Sequence, residues 1–310
     1  MINFKILQKI FILSCMVLSL FIIAGCTNED SEETSSANDE GKLKVSVSFD
    51  AMKEFVQAVG KDKVAVSVIV PTGSEAHDFE PKGKDLAKLS KADVFVYSGF
   101  GMESWADKAI ASANNDKLIA VEASKGIEPI KNDEENSEHN AYDPHTWLSL
   151  KNAQIEVENI KNALVEADPE NKDFYEKNYE EYKTQLNNLY NEYNDKFQQA
   201  PRKNFVTGHL SFAYLCRDFN LAQNSVEDTF AEGEPTPQKL TKLVDYCKQN
   251  KVKTIFAEEM ASPEVSKTLA NEIGAKVETI YTMENPEDNL SYLERMKSNL
   301  EKIDRSLNEQ

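Results

Sequence analysis

Residues 169–199 read PENKDFYEKNYEEYKTQLNNLYNEYNDKFQQ, with aromatic and leucine side chains recurring every three or four residues. This spacing predicts one amphipathic helix, about 45 Å long at a rise of 1.5 Å per residue. An aromatic stripe of this kind predicts packing against the protein on both sides, and a ligand-binding role is the less favoured interpretation. The stretch therefore predicts a stiff connection between the parts of the chain that flank it.

Both flanks of this helix alternate short β-rich runs with helical stretches. Strands are predicted over residues 43–49, 64–70, 93–98 and 118–121 on one side, and over 204–207, 222–226, 254–257 and 276–281 on the other. Alternation at this spacing predicts parallel sheets with helices on their faces. The predicted fold is α/β, with two parallel-sheet lobes, 42–168 and 201–310, joined by one long α-helix, 169–200, and a ligand cleft between the lobes.

The first 25 residues have the pattern of a signal peptide. Lys5 and Lys9 precede an apolar run of about 15 residues, whereas a membrane-spanning helix needs about 20. The run ends in Ile23-Ala24-Gly25-Cys26, which resembles a bacterial lipobox with cleavage before Cys26 and lipid on its thiol. An uncleaved membrane anchor is the alternative, and both interpretations place the rest of the chain outside the cytoplasm. Residues 26–41, acidic and without bulky apolar side chains, are predicted to form a disordered lipidated tether.

The charge of the chain limits its partners. Without Lys5 and Lys9, 33 of the 35 basic residues face 53 acidic ones, a net charge of −20. Nucleic acid and anionic lipid headgroups are poor partners for such a chain, and a cation is a suitable ligand. Two cysteines follow the tether, Cys216 and Cys247. Their separation permits a disulfide, although both occupy apolar positions of predicted helices, which favours buried thiols.

Three of the four histidines lie in loops beside predicted elements. His77 follows the strand 64–70, His209 follows the strand 204–207, and His145 precedes a helix that begins near Leu150. Ligands of open α/β sheets bind beyond the carboxyl ends of the strands, and imidazole is the commonest metal ligand in proteins. Three imidazoles and one carboxylate give zinc a closed tetrahedral set. These positions predict a metal site in the cleft between the lobes.

The three histidine contexts together resemble one protein family. They are Gly73-x-Glu75-x-His77-x-x-Glu80-Pro81, Asp143-Pro144-His145-x-Trp147-Leu148 and His209-x-x-Phe212-x-Tyr214-Leu215. From residue 43 onward the chain resembles the metal-binding lipoproteins that serve ABC-type zinc and manganese importers. The resemblance implies that His77, His145 and His209 are metal ligands. It also implies zinc, because manganese-binding relatives tend to carry a carboxylate at the third position, where this chain has His209.

The resemblance leaves the fourth ligand open between a carboxylate and water. Glu284, in the loop after the strand 276–281, is the first choice, and capping of the next helix is its alternative role. Glu258 and Glu259, after the strand 254–257, are the reserve candidates, and Glu258 matches a supporting Phe-x-Glu of the family. Many zinc-binding relatives carry a long acidic, histidine-rich loop before Asp-Pro-His. Here residues 131–140 hold four acids and His139, which fit a solvated loop and loose cation attraction equally well.

The predicted function is capture of Zn²⁺ as cargo outside the cytoplasm. The chain is expected to be a monomer, lipid-anchored to the cell membrane through Cys26, that delivers the ion to an ABC permease. A relative carrying manganese (Mn²⁺) or iron, and a surface adhesin, are the alternatives. A zinc hydrolase is less favoured, because the chain has neither an H-E-x-x-H pair nor a G-x-S-x-G elbow. The chain is therefore predicted not to be an enzyme.

Overall fold

The first lobe is built on a four-stranded parallel sheet. The computed structural model describes residues 41–132, 141–229, 236–258 and 263–309. The strands of this sheet have the order β2-β1-β3-β4, and Val45 of β1 lies between Val66 and Val94. Strands this rich in valine suit a sheet whose two faces are both covered. Its elements are β1 (Leu43–Val47), α1 (Asp50–Gly60), β2 (Val64–Val68), α2 (Gly83–Leu89), β3 (Val94–Tyr97), α3 (Ala106–Ser112), β4 (Ile119–Glu122) and α4 (Leu150–Ala167).

The second lobe repeats this architecture. Its four parallel strands have the order β6-β5-β7-β8, so β5 occupies the place that β1 has in the first sheet. From β5 the chain adds β6 on one side and then β7 and β8 on the other. Such a switch point opens a crevice at the carboxyl ends of β5 and β7. Its elements are β5 (Asn204–Thr207), α6 (Ala213–Phe219), β6 (Ala222–Ser225), α7 (Pro237–Gln249), β7 (Thr254–Glu258), α8 (Pro263–Ile273), β8 (Lys276–Ile280) and α9 (Tyr292–Asn308). The predicted fold class, two parallel α/β lobes joined by one long helix, is confirmed.

The long helix α5 (Lys172–Gln199) is fixed to both lobes. It begins three residues later than predicted, because Pro169 opens a short 3-10 turn, Pro169–Asn171, before it. Asn178 donates a hydrogen bond to the carbonyl of Val59 in α1, at 2.8 Å. Farther along, the ring of Tyr190 stacks on Phe219 of α6 with centroids 4.9 Å apart. The aromatic stripe therefore serves packing, as the sequence indicates.

Buried polar contacts join the two lobes directly. The indole nitrogen of the fully buried Trp147 donates to the carbonyl of Thr282 at 2.8 Å. The fully buried Arg295 of α9 binds Asp50 of α1 at 2.7 Å and Glu287 at 3.2 Å. Breaking such a buried ion group leaves uncompensated charge, so the lobes resist separation. We conclude that the cleft between them is largely pre-formed.

Several sequence predictions lie outside the described residues. They concern the signal peptide, lipidation of Cys26, the tether up to Glu40, His139 and Glu259. Within the described ranges, the helices are too short or too polar to cross a bilayer. Cys216 and Cys247 are both free and buried, which agrees with the favoured interpretation of these two residues.

Candidate metal centre

Four side chains that the sequence singled out converge in the cleft. His77, His145, His209 and Glu284 each offer a ligand atom, and these atoms all lie within 4.8 Å of one another. The Nε2 atom of His145 is 3.1 Å from that of His77 and 3.2 Å from that of His209. His145, His209 and Glu284 are buried, while His77 is half-buried. In the described part of the chain, this is the one group of three or more potential metal-binding side chains.

His145 is held by a carboxylate of its own loop. Asp143 Oδ1 accepts hydrogen bonds from both the backbone N–H and the Nδ1 of His145, each at 2.9 Å. With Nδ1 occupied in this way, Nε2 is left to face the cleft. Burial and the neighbouring His209 lower the pKa of His145 well below its usual value. Burial raises the pKa of Asp143 to about 7, against the opposing effect of the His145 backbone N–H.

His209 is held by a carboxylate from a neighbouring strand. Glu258, the last residue of β7, accepts from the backbone N–H of His209 at 3.2 Å and pairs with its Nδ1. Burial lowers the pKa of His209, but the charge and hydrogen bond of Glu258 outweigh it and raise the pKa to about 9. The His209 carbonyl is fixed in turn by Thr207 at 2.6 Å and Gln223 at 2.9 Å. Glu258 thus lies behind His209, in the supporting position that the sequence suggested.

Glu284 comes from the loop after β8. Its backbone carbonyl accepts from Asp50 N–H at 3.2 Å, and the preceding Met283 adopts a left-handed conformation with φ 63°. Burial, followed by the charge of Glu75, raises the pKa of Glu284 well above its usual value, with His209 acting in the opposite direction. The capping role considered for Glu284 is wrong, because Ser291 caps α9 in a capping box with Glu294.

His77 belongs to the long loop between β2 and α2. Burial, then the proximity of His145 and His209, lowers the pKa of His77 well below its usual value. At neutral pH both His77 and His145 therefore present neutral imidazoles, the form that binds metal. His209 must lose a proton before it can do so.

The chemistry of the donor set and two of its distances suit a zinc site. Zn–N bonds of about 2.0–2.1 Å place two ligand nitrogens about 3.3 Å apart on a tetrahedron. The two Nε2–Nε2 distances of 3.1 and 3.2 Å are close to this value. An ion bound by three imidazole nitrogens and one carboxylate oxygen would have its four tetrahedral positions filled, with none left for a reacting water.

Sequence reasoning missed two residues that shape the site. Asp143 is part of the Asp-Pro-His motif, yet the motif gave no reason to pair it with His145 Nδ1. Asn285 contacts the His77 loop through its side chain. Its sequence signal is weak, because Asn285 and Pro286 form a dipeptide that indicates only a turn.

Comparisons with known proteins identify the family. Residues 45–306 match the family model described as ZnuA, zinc-uptake complex component A, periplasmic. The chain belongs to this family. It is 38% identical over 319 residues to the high-affinity zinc uptake system protein ZnuA of Bacillus subtilis, covering 98% of each chain. The resemblance found from the three histidine motifs is thereby confirmed.

Solved structures agree with this assignment. A zinc-bound variant of AdcAII from Streptococcus pneumoniae superposes with a TM-score of 0.80 at 33% identity, covering 86% of this chain and 99% of that one. The laminin-binding protein Lmb of Streptococcus agalactiae gives a TM-score of 0.78 at 34% identity, with the same coverage. Lmb is described as a bifunctional protein with adhesin and metal transporting activity.

Proposed function

We propose that this chain captures Zn²⁺ outside the cytoplasm and delivers it to an ABC-type membrane permease. The observation that carries the proposal is that His77, His145, His209 and Glu284 bring one ligand atom each within 4.8 Å of the others in the cleft. Membership of the zinc-uptake family supports both the cargo and the transport role. The ion is cargo, bound and later released unchanged.

Capture follows from the protonation of the four ligands. His77 and His145 meet the ion as neutral imidazoles, oriented in the case of His145 by Asp143. His209 keeps its Nδ1 on Glu258 and gives up the proton on Nε2, so binding is coupled to proton release. Glu284 supplies a carboxylate that offsets part of the charge of the ion. A closed four-ligand set suits storage and transfer, which supports a binding protein over a zinc hydrolase.

The remaining features of the proposal concern location and assembly. Residues 1–25 act as the signal peptide, lipid on Cys26 anchors the mature chain, and residues 26–41 form the tether. The two lobes span 42–168 and 201–310, with 169–200 as the linker helix. The chain works as a monomer, and the permease is its protein partner.

A surface-adhesin role is the second candidate. Its support is the likeness to Lmb, to which adhesin and metal transporting activity are both ascribed. A manganese- or iron-carrying relative is less favoured, because the His209 imidazole suits zinc better than harder ions. Binding of the zinc-loaded chain to immobilised laminin, compared with binding of a His145→Ala variant, would separate adhesion from metal capture.

Metal analysis tests the main proposal. The mature chain, purified without chelators, is expected to contain one zinc per molecule and to compete for zinc with a chelator indicator. In a bacterial strain lacking this chain, growth in zinc-depleted medium should be restored by the parent chain but not by His145→Ala. Stoichiometric manganese in place of zinc, or growth restored equally by both forms, would contradict the proposal.

A further inference from the structure

The loop that carries His77 has no helix or strand between β2 and α2, over residues 69–82. Its start is fixed, because Ile69 and Val70 donate backbone hydrogen bonds to Val47 and Ser48, each at 2.9 Å. Farther on, Phe79 packs edge-on against Trp105 with ring centroids 6.1 Å apart. Between these anchors the chain makes a turn in which Ser74 N–H donates to the Pro71 carbonyl, at 3.0 Å. The position of His77 thus depends on what holds this turn.

The side chain of Asn285 holds the turn from the other lobe. Its Oδ1 accepts from Gly73 N–H at 2.7 Å, and its Nδ2 donates to the Ser74 carbonyl at 3.3 Å. Asn285 is 7% exposed, so its side-chain amide is largely buried, while the turn that it binds lies nearer the surface. Gly73 adopts φ +82°, a conformation that glycine accepts at low cost and that belongs to this turn. A side-chain amide offers a donor and an acceptor at one end, which is what the turn requires.

Asn285 is itself immobilised by the buried ion group between the lobes. Its backbone carbonyl accepts from Arg295 Nη1 at 2.6 Å, and Arg295 also binds Asp50 at 2.7 Å. Asp50 N–H donates to the carbonyl of Glu284, the residue before Asn285, at 3.2 Å. One short segment therefore contributes the ligand Glu284 and holds the loop of the ligand His77. We call the two hydrogen bonds from the Asn285 side chain to Gly73 and Ser74 the clasp.

We infer that Asn285 is a positioning residue that keeps the His77 loop in its ligating position and so limits the rate at which zinc leaves. The inference rests on the proposed function of His77 and Glu284 as zinc ligands. Without the amide, the turn gains freedom that zinc binding must remove again, which weakens binding. Changes of this kind in a pre-formed site act mainly on dissociation, because association is set by encounter.

Zinc-release kinetics test the inference. Zinc-loaded parent and Asn285→Ala are mixed with an excess of a chromogenic chelator in a stopped-flow instrument. Loss of the two hydrogen bonds of the Asn285 side chain is expected to accelerate release about tenfold, with the association rate changed less than about twofold. Asn159→Ala is the matched control. Its amide also makes two hydrogen bonds to the backbone, in this case both as donor, to the carbonyls of Ala123 at 2.8 Å and Lys125 at 2.9 Å, and it is not part of the metal cluster.

The outcomes separate the clasp from general stability. Faster release in Asn285→Ala alone supports the inference, whereas equal rates in the parent and Asn285→Ala, or equal acceleration in both variants, overturn it. If Asn285→Ala fails to fold, amide hydrogen exchange of the zinc-free parent tests the clasp instead. The clasp requires that Gly73 N–H be protected from exchange, so free exchange at Gly73 would overturn the inference. A parent that binds no zinc would refute the proposed function, while the exchange measurement would still judge the clasp.

Discussion

The two buried histidines of the site are supported in similar ways by different parts of the chain. His145 and His209 each direct Nε2 to the centre of the cleft and place Nδ1 on a carboxylate. Asp143 lies two residues before His145, in the same loop. Glu258 lies 49 residues after His209 and reaches it only because β5 and β7 are neighbours in the second sheet. The first pair is local in sequence, and the second is a product of the fold.

The two pairs differ in where protons reside. Burial dominates the first pair, with the pKa of His145 lowered and that of Asp143 raised to about 7. In the second pair the carboxylate outweighs burial and raises the pKa of His209 to about 9. Of these two histidines, His209 is therefore the one that must lose a proton to bind zinc. Ligands of the same type in one site can therefore differ in their readiness to bind metal.

Removal of an imidazole should produce the largest effect. His145→Ala is expected to weaken zinc binding about a thousandfold, because it removes a fully buried imidazole ligand, and the alanine side chain offers no atom that could replace it. Competitive chelator titration measures the affinity, and circular dichroism checks that the variant folds. An unchanged affinity would show that His145 is not a zinc ligand, and the contrast between His145 and His209 as ligands would no longer hold.

Exchange of the ligand type on the other side should change the choice of metal. His209→Glu is expected to lower zinc affinity and to shift the ratio of zinc to manganese dissociation constants toward manganese by about tenfold or more, because a hard oxygen replaces a borderline nitrogen. The introduced carboxylate also faces Glu258, which loses the Nδ1 donor of His209. Titrations with both ions give the ratio. If both affinities fall by the same factor, the third position does not set selectivity.

The supporting carboxylates should produce smaller losses that differ in their dependence on pH. Asp143→Asn and Glu258→Gln are each expected to weaken zinc binding about 10- to 100-fold. In the parent, zinc displaces the His209 proton below about pH 9, so affinity should rise between pH 7 and 9. Glu258→Gln removes the charge that holds this proton and should flatten that rise, whereas Asp143→Asn should leave it in place. Equal flattening in both variants would contradict the assignment of the proton to His209.

The same pKa shift predicts a change in the stability of the zinc-free chain. The folded-state pKa of His209, about 9, lies above the ordinary value of 6.5. Its contribution to stability is therefore fully present below about pH 6.5 and is lost as the pH rises through about 9. The melting temperature of the parent should fall more between pH 7 and 9 than that of Glu258→Gln. If the melting temperatures of the two proteins change with pH in parallel, the His209–Glu258 pair does not cause this pH dependence of stability.

The sequence predicted the local features of the molecule well. The α5 helix, the eight strands and the three histidine loops follow from periodicity and from the residues beside each histidine, with boundaries off by a few residues. The interactions that tune the site could not be predicted in this way. Contact between His209 and Glu258, or between Asn285 and Gly73, exists only after distant segments have packed together. The pKa values of the site residues could not be predicted from the sequence for the same reason, since burial follows from the tertiary fold.

Replacement of the carboxylate ligand should give the smallest effect and the least expected dependence on pH. From its sequence alone, Glu284 would titrate at low pH and contribute little to the pH dependence of binding. In the folded chain, burial and the charge of Glu75 raise its pKa well above the usual value, so the acid must lose a proton before it can act as a ligand. Glu284→Gln has no such proton to lose. Its zinc affinity is expected to be about tenfold below that of the parent at neutral pH.

The pH trend of that deficit distinguishes a ligand from a bystander. The parent gains affinity as the pH rises through the raised pKa of Glu284, and Glu284→Gln does not. The dissociation constant of Glu284→Gln divided by that of the parent should therefore increase with pH. Zinc titrations of both proteins at several pH values from about 6 to 9 would measure it, with Glu259→Gln, which alters the next residue in sequence after β7, measured beside them. A constant ratio would show that Glu284 does not ionise on binding. If Glu259→Gln loses affinity while Glu284→Gln matches the parent, the fourth ligand lies after β7, on the His209 side of the comparison.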